Sequence, residues 1–280
     1  MKKATIFATF LVSAALFSGS SAVCATNTAT VFVTIADAKG NLALAQEGIR
    51  VTDCDGDGAL TVNDALCTAH KEKFNLGVDG YASQKSEYGL GITKLWGAEA
   101  GSAYGYYVND KSAFSLEDPI KEGDRINAYV FTDLTSFSDT YCYFDSSFLN
   151  VNEDESFTLT LSAAAFDAEW NPITVPVKDA VITLNGEKTN IKTDESGKAT
   201  IFAKAGKNVV SAVSDTMTLV PPVCTINAAA KPVQTETSPV VTESAPKAPV
   251  EKTPDTGAAG AGFFALSALT ALAALLIKKR

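Results

Sequence analysis

The chain has 280 residues, 46% hydrophobic and 20% charged, which gives room for two ordinary domains and excludes a mainly disordered polypeptide. Its formal charge of −9 hides a split: five of the 23 basic residues (Lys2, Lys3, Lys278, Lys279 and Arg280) sit in terminal segments without acids, leaving 18 basic against 32 acidic residues, a balance of −14, over 26–256. So acidic a body excludes nucleic acid as a partner, since phosphates are met by Lys and Arg, and it suits an exported protein or one that holds cations.

In chain order, residues 1–25 open on Lys2-Lys3, continue through an apolar run from Ile6 to Phe17 and close on the small residues Val23-Cys24-Ala25. That order predicts a secretory signal peptide cleaved after Ala25. A first domain is expected over 26–145: residues 31–35 alternate as a strand, Lys39-Gly40-Asn41 turns, and 42–52 returns as a second strand broken at Gly48. After an acidic loop, Val62, Ala65, Leu66, Ala69 and Lys73 fall at helical spacing and predict one main helix over 62–74. Strands are expected at 90–95, 103–108 and 125–132, which makes this half α+β. A second domain over 146–228 reads as all β, with strands at 156–166, 180–184, 199–203, 208–213 and 223–228. Asn185-Gly186 and Ser196-Gly197 are its hairpin turns, the first with type I′ chemistry. Over 229–256 the composition shifts to Pro, Thr, Glu and Ala without an aromatic residue, the signature of an extended, solvated spacer. Residues 257–280 carry an apolar run from Ala258 to Ile277 and then Lys278-Lys279-Arg280. The run is long enough for one bilayer core of ~30 Å, with the basic tail on the cytoplasmic side.

The most specific pattern is Asp53-Cys54-Asp55-Gly56-Asp57-Gly58-Ala59-Leu60-Thr61-Val62-Asn63-Asp64. On the EF-hand calcium loop Asp53, Asp55 and Asp57 take positions 1, 3 and 5, Gly58 the sharp turn at 6, and Ala59 the backbone carbonyl at 7. Thr61 falls at position 9 and Asp64 at 12, while Leu60 at 8 is expected to pack inward. Alternate side chains of a curved loop converge on one point, and four carboxylates so close repel unless a cation joins them. Calcium is therefore the expected cofactor, in a structural role. The competing reading is a capping box, Thr61-x-x-Asp64, at the start of the helix. With Asp64 in place of the usual Glu, the segment resembles one calcium loop of a dockerin; the second loop of a dockerin is absent, so cellulosome docking is not expected.

Three further resemblances follow from quoted residues. Thr253-Pro254-Asp255-Thr256-Gly257, the apolar run and the basic tail resemble the sortase sorting signal of Gram-positive surface proteins, with Thr253 where the motif has leucine. The resemblance implies cleavage between Thr256 and Gly257, with sortase and peptidoglycan as partners and the span as a membrane segment before processing. A retained single-pass membrane anchor is the alternative. Gly89-Leu-Gly-Ile-Thr-Lys-Leu-Trp96-Gly97, then Tyr104-Gly-Tyr106-Tyr107-Val108-Asn109-Asp110, then Gly123-Asp124 before a hydrophobic strand, resembles the transcobalamin C-terminal-like domain, an α+β module of β-grasp type. It implies a ligand surface at Trp96, Tyr106, Tyr107 and Asn109, for a host or glycan ligand or, as an alternative, a corrinoid. The plainer reading makes Trp96, Tyr106 and Tyr129 core residues and Asn109-Asp110 a hairpin turn. The stretch from Val181 to Ile201, with Thr193-Asp194-Glu-Ser-Gly197-Lys-Ala199, resembles the Ig-like repeats of bacterial surface proteins and implies an all-β Ig-like sandwich.

Four cysteines remain beyond residue 25: Cys54, Cys67, Cys142 and Cys224. Export permits disulfides, four cysteines allow three full pairings, and the sequence leaves the choice open. The single histidine, His70, stands three residues after Cys67, but no orienting group or oxyanion hole accompanies it, and the chain is read as a non-enzyme. The expectation is an adhesion or ligand-binding protein anchored to the cell wall, with a purely structural wall component as the alternative.

Overall fold

The computed structural model describes residues 27–231. The signal peptide, nearly all of the spacer, Thr256-Gly257 and the apolar run lie outside the described residues. Among the described residues the chain is mostly β, with several sheets and one α-helix. The helix has 12 residues, and no described helix is long and apolar enough to cross a membrane.

The first half is built on β1 (Thr28–Ala36), β2 (Leu42–Thr52) and α1 (Val62–Lys73). A 3₁₀ turn at Gly77–Gly80 leads to the strands β3 (Ala82–Ser86), β4 (Gly89–Lys94), β5 (Tyr104–Val108), β6 (Lys111–Ser112) and β7 (Arg125–Val130). In β1 the period-2 pattern places Val31, Val33 and Ile35 inward, all fully buried. The sheet order is β2-β1-β7-β5-β6: β1 and β7 are a central parallel pair, flanked by antiparallel β2 and β5. β3 and β4 form a separate hairpin. Helix α1 buries Val62, Ala65, Leu66 and Ala69 against this core, the face its spacing predicts; Lys73 stays exposed. β2 is not broken at Gly48. It runs through that residue, and the register shifts at Gln46, whose φ is +48°. Gln46 is turned inward there, its N–H donating to Thr34 Oγ1 at 3.2 Å, so a buried amide makes the bulge.

The second half comprises β8 (Thr140–Phe144), β9 (Phe148–Asn152), β10 (Ser156–Phe166), β11 (Pro172–Pro176), β12 (Val181–Leu184) and β13 (Glu187–Lys192). It ends with β14 (Lys198–Phe202), β15 (Gly206–Val213), β16 (Leu219–Val220) and β17 (Cys224–Ala229). One sheet runs β11-β10-β8-β16 with β14 on β10; the other runs β13-β12-β15-β17-β9. Leu159 and Leu161 of the first sheet meet Ile182, Val210 and Ile226 of the second in one core. Asn185 and Gly186 have φ of +53° and +86°, as a type I′ turn requires. The Thr193–Ala199 segment has a physical account. Thr193 Oγ1 donates to the Val177 carbonyl at 2.7 Å and accepts the Ala180 N–H at 2.9 Å. The Asp194 carboxylate accepts the N–H groups of Ser196 and Lys198, and Gly197 sits at φ +75°. A Cβ at Gly197 would stand 2.3 Å from the Leu161 carbonyl oxygen, so only glycine fits.

The strand β8 lies before residue 146 yet pairs with β10 and sends Cys142 and Phe144 into the second core, so the change from one core to the other falls ahead of Thr140. A third, smaller cluster joins the halves: Ala36, Tyr129, Tyr141 and Val220 are buried together. Here the Tyr107 and Tyr141 rings stack 3.6 Å apart, and Thr225 Oγ1 donates to Gln46 Oε1 at 3.1 Å. At the far end, Ala229 still belongs to β17, and Lys231 donates to Glu153 through its N–H and to Asp154 through Nζ, so the expected spacer starts inside the folded body.

Candidate cation site and its surroundings

The acidic loop spans the gap between β2 and α1, anchored by Val51 on one side and by Leu60 and Val62 on the other, all buried. Leu60 packs inward as position 8 predicts, and its carbonyl accepts the Ile120 N–H at 3.0 Å. Asp53 organises the turn: its two oxygens accept the Gly56 N–H at 2.7 Å and the Gly58 N–H at 2.9 Å. Gly58 has φ +86°, the left-handed backbone expected at this position. Asp57 Oδ1 accepts the Ala59 N–H at 2.7 Å, and Asp55 Oδ2 accepts Asn63 Nδ2–H at 3.2 Å. One carboxylate oxygen from each of Asp53, Asp55 and Asp57 lies within 4.8 Å of the others. The N–H groups of Gly58 and Gly56 hold the Asp53 carboxyl below the usual range. Partial burial, and then the charges of Asp64 and Asp57, raise that of Asp55.

Thr61 and Asp64 do something else. Asp64 is fully buried; its Oδ1 accepts the Cys54 N–H at 2.7 Å, and its Oδ2 accepts the Thr61 N–H at 3.0 Å and the Thr61 hydroxyl at 2.7 Å. With the Asp64 N–H returning to Thr61 Oγ1, this is a capping box on α1 with an added tie to the loop. Of the six residues expected around a cation, the structure brings three carboxylates together and commits Thr61 and Asp64 to the helix end. Three hard oxygen donors from one loop fit a divalent cation that fills its remaining positions with water and carbonyl oxygen. Asn63 carries weight that the loop pattern does not single out. It donates to Asp55 while its Oδ1 accepts the Tyr81 and Ser83 hydroxyls at 2.9 and 2.8 Å, so the outer end of the loop is tied to the inner hairpin.

On the opposite side of the loop Cys54 packs onto α1. Its Sγ lies 3.5 Å from Thr68 Oγ1, donates to the Asp64 carbonyl at 3.9 Å and accepts from Lys71 Nζ at 3.3 Å. Burial, and then the adjacent Cys54 thiol, push the Cys67 thiol up to about 12. His70 faces inward and is fully buried: Nδ1–H donates to the Leu66 carbonyl at 2.7 Å, and Nε2 accepts the Trp96 N–H at 3.0 Å. Both ring nitrogens are occupied, so His70 forms no pair with Cys67, and burial lowers its pKa.

The four residues expected on a ligand surface separate. Trp96 turns its ring onto His70 and Phe74 and is a packing residue. Tyr106 borders an open cleft of about 520 Å³ with Ile92, Thr93 and Tyr104. Tyr107 and Asn109 border another, of about 730 Å³, with Asp110, Tyr143, Phe166 and Ile173. Asn109 and Asp110 are the two positive-φ residues of the β5–β6 turn. Asn109 donates to Asp124 and accepts the Arg125 N–H, and Asp110 accepts from Tyr141 and pairs with Arg125. No family model, curated protein or solved structure matches the chain.

Proposed function

We propose that the chain is a wall-anchored surface protein of a Gram-positive bacterium, presenting a calcium-stabilised module for adhesion or ligand binding. The address rests on the order of its terminal parts: basic and apolar leader, Pro/Thr-rich spacer, Thr256-Gly257, apolar run, basic tail. The observation that carries the cation is the convergence of the Asp53, Asp55 and Asp57 carboxylates on a turn that Asp53 itself shapes. The central parallel pair β1/β7, with a helix between the edge hairpin and the remaining strands, supports a β-grasp reading of the first half. Two facing sheets joined by the Thr193–Ala199 turn support an Ig-like reading of the second. In this role the cation would be held by Asp53, Asp55 and Asp57, and its contribution is to join the loop's charges; the chain itself supplies the rest of the loop's order through Asp64 and Asn63.

One observation favours the rival reading, a purely structural wall component: the residues singled out for a ligand lie in separate places, and Trp96 is packed against His70. Fractionation of the producing cell tests the anchoring that both share. Muramidase digestion is expected to release the protein where detergent does not, and Thr256→Ala is expected to shift it to the membrane or medium. Release by detergent alone would remove the sortase reading.

A further inference from the structure

All four cysteines of the described residues are free thiols in the structure, and Cys54 packs onto the helix that carries Cys67. The stripe Asp64, Cys67, Thr68, Lys71 on α1 has the i, i+3, i+4, i+7 spacing that outlines a hole on a helix surface. Cys54 is the knob in that hole: its sulfur touches Asp64, Thr68 and Lys71, three of the four corners, which brings it over the fourth, Cys67. The Asp64 carboxylate, bonded to the Cys54 N–H, fixes the backbone from which that side chain projects. Cys142, by contrast, is engaged deep in the second core, its Sγ donating to the Val220 carbonyl at 3.1 Å.

We propose that Cys54 and Cys67 close a disulfide that staples the acidic loop to helix α1. The oxidant is a small-molecule or protein disulfide of the kind an exported chain meets. The Cys54 sulfur gives up its proton and attacks one sulfur of that disulfide. A mixed disulfide forms and the first thiolate leaves, with Lys71 beside the reacting sulfur to balance developing negative charge. Cys67, deprotonated, then attacks the Cys54 sulfur and the second thiolate leaves. Two protein thiols are oxidised, two electrons pass to the oxidant, and the two departing thiolates take up the two protons. The cross-link encloses Asp55 and Asp57 and leaves Asp53 next to its anchor, so it shortens the range of loop shapes open to the unfolded chain. Both cysteines are half-buried, where Cys142 and Cys224 are buried.

The test uses the full chain, equilibrated in native buffer with oxidised glutathione in tenfold excess over reduced, then quenched with N-ethylmaleimide in denaturant. Tryptic cleavage after Arg50 and Lys71 leaves Cys54 and Cys67 in one peptide, 51–71, with Cys142 in 126–178 and Cys224 in 208–247, since Pro232 blocks cleavage after Lys231. The expected map shows 51–71 about 2 Da light, one pair of hydrogens lost on closing the bond, and free of maleimide, while the other two peptides are alkylated. Reduction is expected to lower Tm by roughly 5–10 °C, and Cys67→Ser to have no such response. Two maleimides on 51–71, or a link from it to either other peptide, would overturn the proposal. Because the oxidant is supplied, the outcome does not depend on where the cell sends the chain. A closed link in a protein indifferent to calcium would separate this site from the cation site.

Discussion

The two cores bury different things. The first encloses His70, Asp64, Asn63, Gln46 and Asp124 among its aliphatic residues, each with a hydrogen-bond partner, and no buried side-chain polar atom in the described residues is left without one. The second is mostly Ala, Val, Ile and Leu, with Phe144, Cys142 and Cys224, and the buried polar residues beside it, Thr183, Thr193, Asn208, Ser211 and Thr225, carry no charge. A core stapled by polar groups answers to pH, cations and redox state, because each bond depends on a charge or a proton; a core of aliphatic layers answers to shape alone. The halves should therefore be separable by the kind of perturbation each feels.

The largest effects come from a matched pair of substitutions. Asp64→Ala removes a buried acceptor from three donors and is expected to cost about 4 kcal/mol, since hydrogen bonds to a charged group and a helix cap are lost together. Gly197→Ala drives a Cβ into the Leu161 carbonyl and is expected to cost about 3 kcal/mol. Urea unfolding of the full chain gives both numbers. If the cores are energetically distinct, calcium moves the midpoint of Gly197→Ala as in the parent. If Asp64 serves the cap and is not a ligand, Asp64→Ala keeps a calcium response, and its loss would return Asp64 to the cation.

Calcium comes next. At about 100 times Kd it is expected to add ~2.7 kcal/mol, or roughly 5–10 °C in Tm for a body of this size. Chelation should reverse the gain, and Asp53→Ala or Asp57→Ala should abolish it. A melting curve indifferent to calcium would sink the metal and leave the loop as a self-bonded turn.

The smallest effect is that of pH. His70 has a pKa below its ordinary value near 6.5 because it is buried neutral. Below pH 6.5 the unfolded chain takes up a proton that the folded one refuses, so stability from this residue is complete above that pH and falls as pH drops toward the folded pKa. Tm between pH 7 and pH 5.5 is expected to slope downward more steeply in the parent than in His70→Gln. Equal slopes would mean that His70 is protonated in place.

How much of this could be read from the chain depends on the range of the forces involved. Helix α1 was legible because its 3.6-residue period and its cap are local, and Asn185-Gly186 because two positive φ angles leave few residue choices. The Asp53, Asp55, Asp57 convergence was legible as spacing. Asp64 was ambiguous, because position 12 of a calcium loop and the third residue of a helix can be the same residue; its burial and its bonds to Thr61 show the cap and have no local trace, while its place at a cation is left to the calcium response of Asp64→Ala. β13 (Glu-Lys-Thr-Asn-Ile-Lys) is mostly polar, and the Ile-Thr-Val of β11 is a short run closed at both ends by Pro172 and Pro176, so both owe their place as strands to the neighbour that pairs with them. The attachment of β8 to the second core, and the meeting of Cys54 with the helix hole, are tertiary facts with no periodic trace.

The parallel pairing of β17 with β9 has a mechanical consequence. Residues Thr225–Ala229 run alongside Phe148–Asn152 in the same direction, and the Glu153 N–H adds a bond to the Ala229 carbonyl. Tension applied through Lys231 pulls β17 toward its C-terminal end, while β9 is held from its N-terminal end by the chain leading back through β8. The two strands are then drawn past each other, so their hydrogen bonds share the load and must fail together. Antiparallel strands pulled from one end would instead open bond by bond, like a zip. The body resists being drawn out by its C-terminal strand through the direction in which that strand is laid, before the depth of any core is called upon.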